Sequence, residues 1–452
     1  MMPLCSRLRG CQAFGTTLAL AFAVALVACA SPPGPGGGDD DGGPHVDGGP
    51  PAPSCDSTST SAAQPFGTHA IQYTAGSILP SNHDQAELDA AVKSFYDAWK
   101  SRYLRQGSPC GDGRVFVATG MDDSLTVSEA HGYGMVLLAF MAGHDAEAHT
   151  LFDGALRFFR DHPTSENPDL LSWSQDSSCK DNQGQDSASD GDLDVAYALL
   201  LADKQWGSGG AIDYRAEAIK VITAIRTGDL DSSSHYVLLG NWVDHTDSHY
   251  KSTRTSDFMP GHFESFGVAT GDGEWKTLGD AEYDLVAQLQ TSFAPSSGLL
   301  PDFVVDPTGT PKPSPPNFLE NPTDGQYGYN ACRDPWRLGV HYLTTGDARA
   351  KAALERMNSF IEGATGGDAR AIRPGYDLSG APLERNYFAH AFVSPFGVAA
   401  MTDAAHQTWL NAIWDATVDE DNTNYYDDSL KLLSMIAMSG NWWAPEAAPC
   451  PQ

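Results

Sequence analysis

The chain has 452 residues, of which 41% are hydrophobic and 10% aromatic, so it is long enough to form one large domain with a sizeable core. Its 58 acidic and 27 basic residues give a formal net charge of -31. Such a polyanion does not bind nucleic acid through phosphate contacts, and docking on anionic lipid through a basic patch is not expected. The charge suits neutral or cationic ligands.

The N-terminal segment has the features of an export signal. Arg7 and Arg9 precede an apolar run from Leu18 to Ala28, which is too short to span a bilayer. The run ends in Leu-Val-Ala followed by Cys29, which resembles a bacterial lipobox. The resemblance implies that residues 1–28 are a lipoprotein signal peptide, with an ordinary signal peptide as the alternative. It also implies lipid attachment at Cys29, as the protein's only membrane contact, and delivery to the outer membrane or cell surface.

Residues 29–64 are predicted to be a flexible tether, because Gly, Pro and Asp dominate a segment that cannot bury apolar surface. Residues 65–452 are predicted to form one globular domain that is large enough to be a catalytic domain. The five cysteines outside the signal are Cys55, Cys110, Cys179, Cys332 and Cys450. An odd number leaves at least one unpaired within the chain, so one or two disulfides are expected. No Cys or His spacing typical of a metal site occurs, and no metal is expected.

The body of the domain has the periodicity of a series of helices. Apolar residues from Leu88 to Tyr103 recur at spacings of three and four, which predicts an amphipathic helix. Eleven more are predicted near residues 129–142, 148–161, 194–204, 213–226, 257–268, 278–293, 335–346, 348–362, 392–401, 404–416 and 424–438. Twelve helices fit an all-α fold of six hairpins closed into an (α/α)6 barrel, and an irregular all-α bundle is the alternative. The long connecting loops are where function is expected.

Common catalytic signatures such as GxSxG, HExxH and Walker A are absent. What remains is carboxylates beside aromatic residues in an acidic, exported chain. Two carboxylates on either side of a glycosidic bond are the usual machinery for its hydrolysis.

The segment ASDGDLDVAYALLLADKQW, residues 188–206, closely resembles the signature of glycoside hydrolase family 8. The resemblance implies an (α/α)6 barrel and an inverting endo-hydrolase of β-1,4-linked glycans. Asp190 and Asp192 are predicted in a loop before a helix, where they would accept hydrogen bonds from sugar hydroxyls. Helix capping is the alternative, with Asp194 favoured as the cap and Asp190 as the sugar ligand. Calcium is disfavoured because the spacing is not that of an EF-hand loop.

A second segment, VSEAHGYGM at residues 127–135, resembles the part of family 8 that carries the general acid. The match places Glu129 in that role, with Tyr133 lining the substrate cleft. Burial beside aromatic and apolar side chains would raise the pKa of Glu129, as an acid catalyst needs. Read from the residues alone, the favoured interpretation of Glu129 is a first-turn residue stabilised by the helix dipole.

Two further segments, residues 254–263 and 327–337, also resemble the family. In the first, Asp257 is predicted to be a cap or a residue of the barrel mouth. The second supplies Tyr329, Asn330 and Arg333 as candidate substrate-binding residues. Trp173 and Trp242 are candidate platforms for sugar stacking, and packing in the core is the alternative of equal weight.

Asn330 occupies the position where the largest branch of the family has its catalytic Asp, and an amide cannot act as the base. The chain is therefore either a non-catalytic glycan-binding protein or an enzyme whose base comes from another segment. The proline-rich loop 302–326 contains Glu320, which matches the base of the branch with Asn at this site. Phe318 and Leu319 would anchor that loop on the barrel. The rival carboxylates are Asp302, Asp306 and Asp324.

An inverting pair needs its two carboxyl groups about 6.5–9.5 Å apart to admit one water. The expected substrate is a β-1,4-linked polysaccharide: cellulose or mixed-linkage β-glucan first, chitosan next and xylan third. No cofactor is expected, and the protein is expected to be a monomer.

Overall fold

The computed structural model describes residues 62–69, 71–121, 123–231, 235–421 and 423–446. The predicted signal peptide, Cys29, most of the tether, Cys55 and Cys450 lie outside these ranges. Within them, no helix combines the length and the apolar character needed to cross a bilayer.

All twelve predicted helices are present in the described chain. They are α1 Gln85–Tyr103, α2 Ser128–Phe140, α3 Ala148–Asp161, α4 Ser189–Trp206, α5 Tyr214–Gly228, α6 Pro260–Thr270, α7 Glu274–Ser292, α8 Asp334–Thr345, α9 Ala348–Thr365, α10 His390–Ala400, α11 Gln407–Asp419 and α12 Tyr425–Met438.

The even-numbered helices form a closed inner ring, in which each contacts the next and α12 returns to α2. Each odd-numbered helix packs outside, against one or two of the inner helices. Side chains of α2, α4, α10 and α12 are buried on nearly every side, whereas α3 and α9 bury one face and expose the other. Helices that are apolar all round suit an interior position, and striped helices suit the outside. The predicted (α/α)6 barrel is confirmed.

Short antiparallel strands lie in the connections between helices. They are β1 Leu104–Gln106, β2 Val115–Val117, β3 Thr126–Val127, β4 Ser174–Gln175, β5 Leu230–Asp231, β6 Tyr236–Val237, β7 Ser252–Arg254, β8 Phe303–Val305 and β9 Lys312–Pro313. The pairs are β1–β2, β3–β4 and β5–β6, and β8 lies between β7 and β9. The β3–β4 pair leads directly into α2, and the three-stranded sheet holds the proline-rich loop against the chain before α6.

Several helix boundaries differ from the predicted ranges, and the starts of α4 and α6 are two that bear on the site. Helix α4 begins at Ser189, five residues early, with Ala188 as its N-cap, so the prediction that Asp194 caps this helix is wrong. Helix α6 begins at Pro260, since proline is favoured in the first turn, where its missing N–H costs nothing. Asp257 lies just before it, in a buried 3-10 turn.

Among the cysteines that the structure describes, Cys110 and Cys179 form a disulfide between residues 69 positions apart, and Cys332 is a buried free thiol. A cross-link of this span is worth about 4 kcal/mol in the chain-entropy model. We expect the double variant Cys110→Ser/Cys179→Ser to lose about that much free energy of unfolding in urea, relative to the oxidised wild type. The reduced wild type is the matched control and should behave like the variant. Equal stability of the oxidised and reduced proteins would contradict this expectation.

Candidate active site

The close crossing of α2 and α4 brings Glu129 and Asp190 together. A Cβ built on Gly191 would lie 2.5 Å from the Cβ of Ser128, and one on Gly132 would lie 2.7 Å from the Cβ of Asp194. Only glycine lets the two helices approach this closely. Glu129 follows Ser128, and Asp190 precedes Gly191, in the first turns of their helices. The contact between Ser128 and Gly191 therefore brings the two acids together at the same end of the barrel.

Arg333 is the hub of the site and is 1% exposed. Its Nη1 donates to Glu129 Oε2 at 2.8 Å and to Asp190 Oδ2 at 2.8 Å. Its Nη2 donates to Ser256 Oγ and Asn330 Oδ1, both at 2.8 Å, and its Nε donates to the Asn330 carbonyl at 3.2 Å. The planar guanidinium uses all three nitrogens, which fixes the carboxylates and the amide relative to one another.

The two carboxyls that share Arg333 have opposite electrostatics. Burial raises the pKa of Glu129 to about 7, although Arg333 acts to lower it; the nearby Asp190 charge raises it further. The side chain of Glu129 is still 17% exposed, so it remains accessible. Burial also acts to raise the pKa of Asp190, but Arg254 and Arg333 outweigh it and hold that pKa below its ordinary value. Glu129 can therefore carry a proton near neutral pH while Asp190 is ionised.

Glu320 lies on the proline-rich loop and is exposed. Its Oε2 accepts a hydrogen bond from Asn330 Nδ2 at 3.0 Å. A continuous path therefore runs from Glu129 through Arg333 and Asn330 to Glu320. Phe318 and Leu319 pack against a small apolar cluster in the connecting segments that includes Phe303, and Trp242 packs against the same cluster.

The three other candidates for the base, Asp302, Asp306 and Asp324, accept hydrogen bonds from backbone N–H groups. Asp302 is buried, and its Oδ1 accepts the N–H groups of Gly328, Asn330 and Ala331 at 3.0, 3.0 and 2.8 Å. Asp324 is also fully buried, and its carboxylate accepts only backbone N–H groups of its own loop. Asp306 closes a separate turn by accepting the N–H of Thr310 at 2.8 Å. Of the four acids, Glu320 is the one that contacts the side-chain amide of Asn330.

The candidate aromatic platforms Trp173, Trp242 and Tyr329 are partly exposed. The N–H of Ser128 donates to the carbonyl of Trp173 at 2.8 Å, so Trp173 lies next to the start of α2. Trp242 packs edge-on against His249, with ring centroids 5.6 Å apart. The hydroxyl of Tyr329 contacts that of Tyr387 at 2.8 Å.

Two predicted substrate-binding residues lie elsewhere than expected. Asp192 is fully buried and accepts the N–H of Leu171 at 2.9 Å, and burial raises its pKa well above the ordinary value. It is a structural residue, since its side chain turns away from solvent on α4. Tyr133 is also fully buried; its hydroxyl accepts from Arg333 Nη1 at 3.3 Å, so it supports the arginine from behind.

Sequence reasoning missed contacts supplied by distant or unremarkable residues. The Tyr425 hydroxyl donates to Glu129 Oε1 at 2.8 Å from the last helix of the barrel. Arg254 Nη1 lies 3.3 Å from Asp190 Oδ2. Arg254 and Ser256 belong to the segment 254–263, whose sequence resembles family 8. No local sequence pattern distinguishes Tyr425 from the tyrosine beside it. The residues that the structure describes contain no group of three or more His, Cys, Asp or Glu arranged to hold a metal ion.

The site combines a carboxyl group that can be protonated near neutral pH with a second, exposed carboxylate, and hydrogen bonds link the two. Partly exposed aromatic rings lie on neighbouring segments. This combination is typical of an enzyme that hydrolyses glycosidic bonds. The model of glycosyl hydrolases family 8 matches residues 84–440. The chain belongs to this family and is a glycoside hydrolase.

Similar proteins agree with this assignment. A beta-glucanase of Niallia circulans is 45% identical over 381 residues, which are 84% of this chain and 91% of the relative. An endoglucanase of Bacillus sp. (strain KSM-330) is 37% identical over 378 residues, 82% of this chain and 80% of the relative. The apo structure of a beta-1,3-1,4-glucanase from Paenibacillus sp. X4 is 45% identical. It has a TM-score of 0.81 and covers 84% of this chain and 99% of its own.

Proposed function

We propose that the protein is an inverting endo-hydrolase of mixed-linkage and β-1,4-linked glucans, with Glu129 as general acid and Glu320 as general base. The observation that carries the proposal is the hydrogen-bonded path Glu129–Arg333–Asn330–Glu320. Two bridging side chains separate the carboxyls, as is appropriate for a pair that must admit a water between them.

Glu129 meets the requirements of the acid. Its raised pKa keeps it protonated near neutral pH, so it can give its proton to the glycosidic oxygen as the bond from that oxygen to the anomeric carbon breaks. Arg333 then faces the carboxylate that forms, and the Tyr425 hydroxyl donates to it, so the negative charge is stabilised where it appears.

Glu320 meets the requirements of the base, and Asn330 fits beside it. An amide can donate to one carboxylate with Nδ2 while accepting from an arginine with Oδ1, which is how Asn330 is bonded. An Asp at this site would put a second negative charge 3.0 Å from Glu320. Glu320 would take the proton of a water as its oxygen attacks the anomeric carbon from the face opposite the leaving group.

The substrate class rests on the site and on the relatives. Asp190 was predicted to bind sugar, but it is buried between Arg254 and Arg333 and orients the latter; Trp173 and Trp242 offer partly exposed apolar faces to pyranose rings. The relatives are named for β-glucan hydrolysis, with a 1,3-1,4-glucan in one case. We therefore rank mixed-linkage β-glucan and cellulose above chitosan and xylan.

The test is to incubate the protein with each of these four polymers and to follow the first products by proton NMR. We expect fastest cleavage of mixed-linkage glucan, a rapid fall in viscosity from internal cuts, and new reducing ends that appear first as the α-anomer. Initial β-anomers would contradict the inverting mechanism, and release of monosaccharide without loss of viscosity would contradict endo action.

We propose further that the enzyme is exported and attached to the outer membrane or cell surface by a lipid on Cys29. In the intact chain expressed in a Gram-negative host, the variant Cys29→Ser should move from the detergent-extracted membrane fraction to the soluble fraction. Its specific activity on glucan should be unchanged, because the residue precedes the catalytic domain. An unchanged membrane fraction would argue against the lipid anchor.

A further inference from the structure

The loop that carries Glu320 is wrapped around one buried carboxylate. The side chain of Asp324 is fully buried, and its Oδ2 accepts the N–H groups of Leu319 and Glu320 at 2.7 and 2.9 Å. Its Oδ1 accepts the N–H of Asn321 at 2.9 Å. Three consecutive backbone groups, with Glu320 in the middle, are therefore held by a single side chain.

The loop is closed on itself and fastened to the sheet. The N–H of Asn317 donates to the carbonyl of Asn321 at 2.9 Å, and the N–H of Phe303 in β8 donates to the carbonyl of Asp324 at 3.0 Å. In the described ranges no ion pair involves Asp324, so its charge is balanced by the three N–H groups. Hydrogen bonds to an ionised acceptor are shorter and stronger than neutral ones, and they give the loop a fixed shape.

These hydrogen bonds to Asp324 matter because few contacts fix the side chain of Glu320 itself. It is exposed, and its one hydrogen bond within the described chain is the contact from Asn330 Nδ2. An exposed Glu otherwise samples several rotamers. A base must lie within hydrogen-bond reach of the water it activates, and a displacement of about 1 Å can cost about 100-fold in rate.

We propose that Asp324 is a positioning residue for the general base: its carboxylate sets the backbone of residues 319–321 and thereby the place of Glu320 over the cleft. The proposal rests on the assignment of Glu320 as base. An amide at position 324 would turn an NH2 group toward at least one of the three N–H donors, leave that donor unpaired and loosen the loop.

The test compares Asp324→Asn with Asp306→Asn in the full-length enzyme on mixed-linkage glucan. Asp306 belongs to the same proline-rich loop, contacts the N–H of Thr310, and has a positive φ of 56° that Asn tolerates well. We expect kcat of Asp324→Asn to fall about 10- to 100-fold with KM nearly unchanged, and Asp306→Asn to match the wild type.

Azide separates a positioning role from general damage to the fold. In Glu320→Gln, azide replaces the water and needs no base, so adding Asp324→Asn should leave the azide-supported rate unchanged. A loss of that rate by the factor seen for Asp324→Asn alone would overturn the proposal. If Asp324→Asn does not fold, Asp324→Glu retains the charge and shifts the loop. It should show the same fall in kcat, and wild-type kcat would overturn the proposal.

Different results would contradict the assignment of Glu320 as base and the positioning role of Asp324. If Glu320→Gln is as active as the wild type, the base assignment is wrong, and the role of Asp324 falls with it. If Glu320→Gln is inactive but Asp324→Asn equals Asp306→Asn, only the positioning role is wrong.

Discussion

Replacement of Glu129 by Gln is expected to reduce hydrolysis of mixed-linkage glucan by about 10²–10⁴-fold, the usual contribution of a general acid. The change is nearly isosteric: the amide oxygen can still accept from Arg333, and the Tyr425 hydroxyl can turn to accept from the amide NH2, so the fold should persist. An aryl glycoside with an activated leaving group, where accepted, should lose much less, because its departure needs little protonation. The measurement is kcat on both substrates, with Glu166→Gln on the exposed surface as the matched control.

The pH profile gives a second readout of the same residue. Because Glu129 must be protonated and burial raises its pKa to about 7, wild-type kcat/KM should fall as the pH rises through that value. The amide in Glu129→Gln does not titrate, so its residual rate should lack this alkaline limb. Equal losses on both substrates, or an unchanged limb in the variant, would indicate that Glu129 is only structural.

Replacement of Glu320 by Gln should have an effect of similar or greater size, because the attacking water then has no acceptor for its proton. Turnover of every glucan should become very slow, while binding of the polymer survives, since the tryptophans are unchanged. Added azide should restore cleavage and yield an α-glycosyl azide, because the anion attacks from the face of the missing base. The measurements are kcat, glucan affinity and product analysis, with Asp306→Asn as the control; a variant near wild-type activity would rule out this base.

The pattern of helices could be predicted from the sequence because the barrel is built from local periodicity. Its inner and outer helices differ in how many sides are apolar, a property visible over four or five turns. The predicted start of α4 was late because Asp190 and Asp192 look like loop residues in sequence. In the structure they lie in the first helical turn, where one binds arginines and the other a backbone N–H.

Glu129 could be singled out from the sequence of the segment that carries it, but the surroundings of the other carboxyl groups could not be predicted. Asp302 and Asp324 were credible rivals to Glu320, because residue type alone does not reveal that backbone N–H groups occupy their oxygens. Tyr425 contacts a carboxyl 296 positions away, a pairing that exists only after the ring of helices closes. The burial of Asp190 and Asp192 could not be predicted for the same reason, since it depends on the helices that pack around α4.

The narrow crossing of α2 and α4 has a consequence for protein engineering. At positions 132 and 191 even one added methyl group would meet a neighbouring Cβ at 2.5–2.7 Å, and relief by separating the helices would move the acid away from its arginine. Overpacking of this kind typically costs about 1–3 kcal/mol in stability, and here it would also spoil the alignment of reacting groups. A saturation library at these two glycines should yield almost no active clones. Variation aimed at new substrate ranges belongs instead in the partly exposed side chains of Trp173 and Trp242, whose replacement does not widen this crossing.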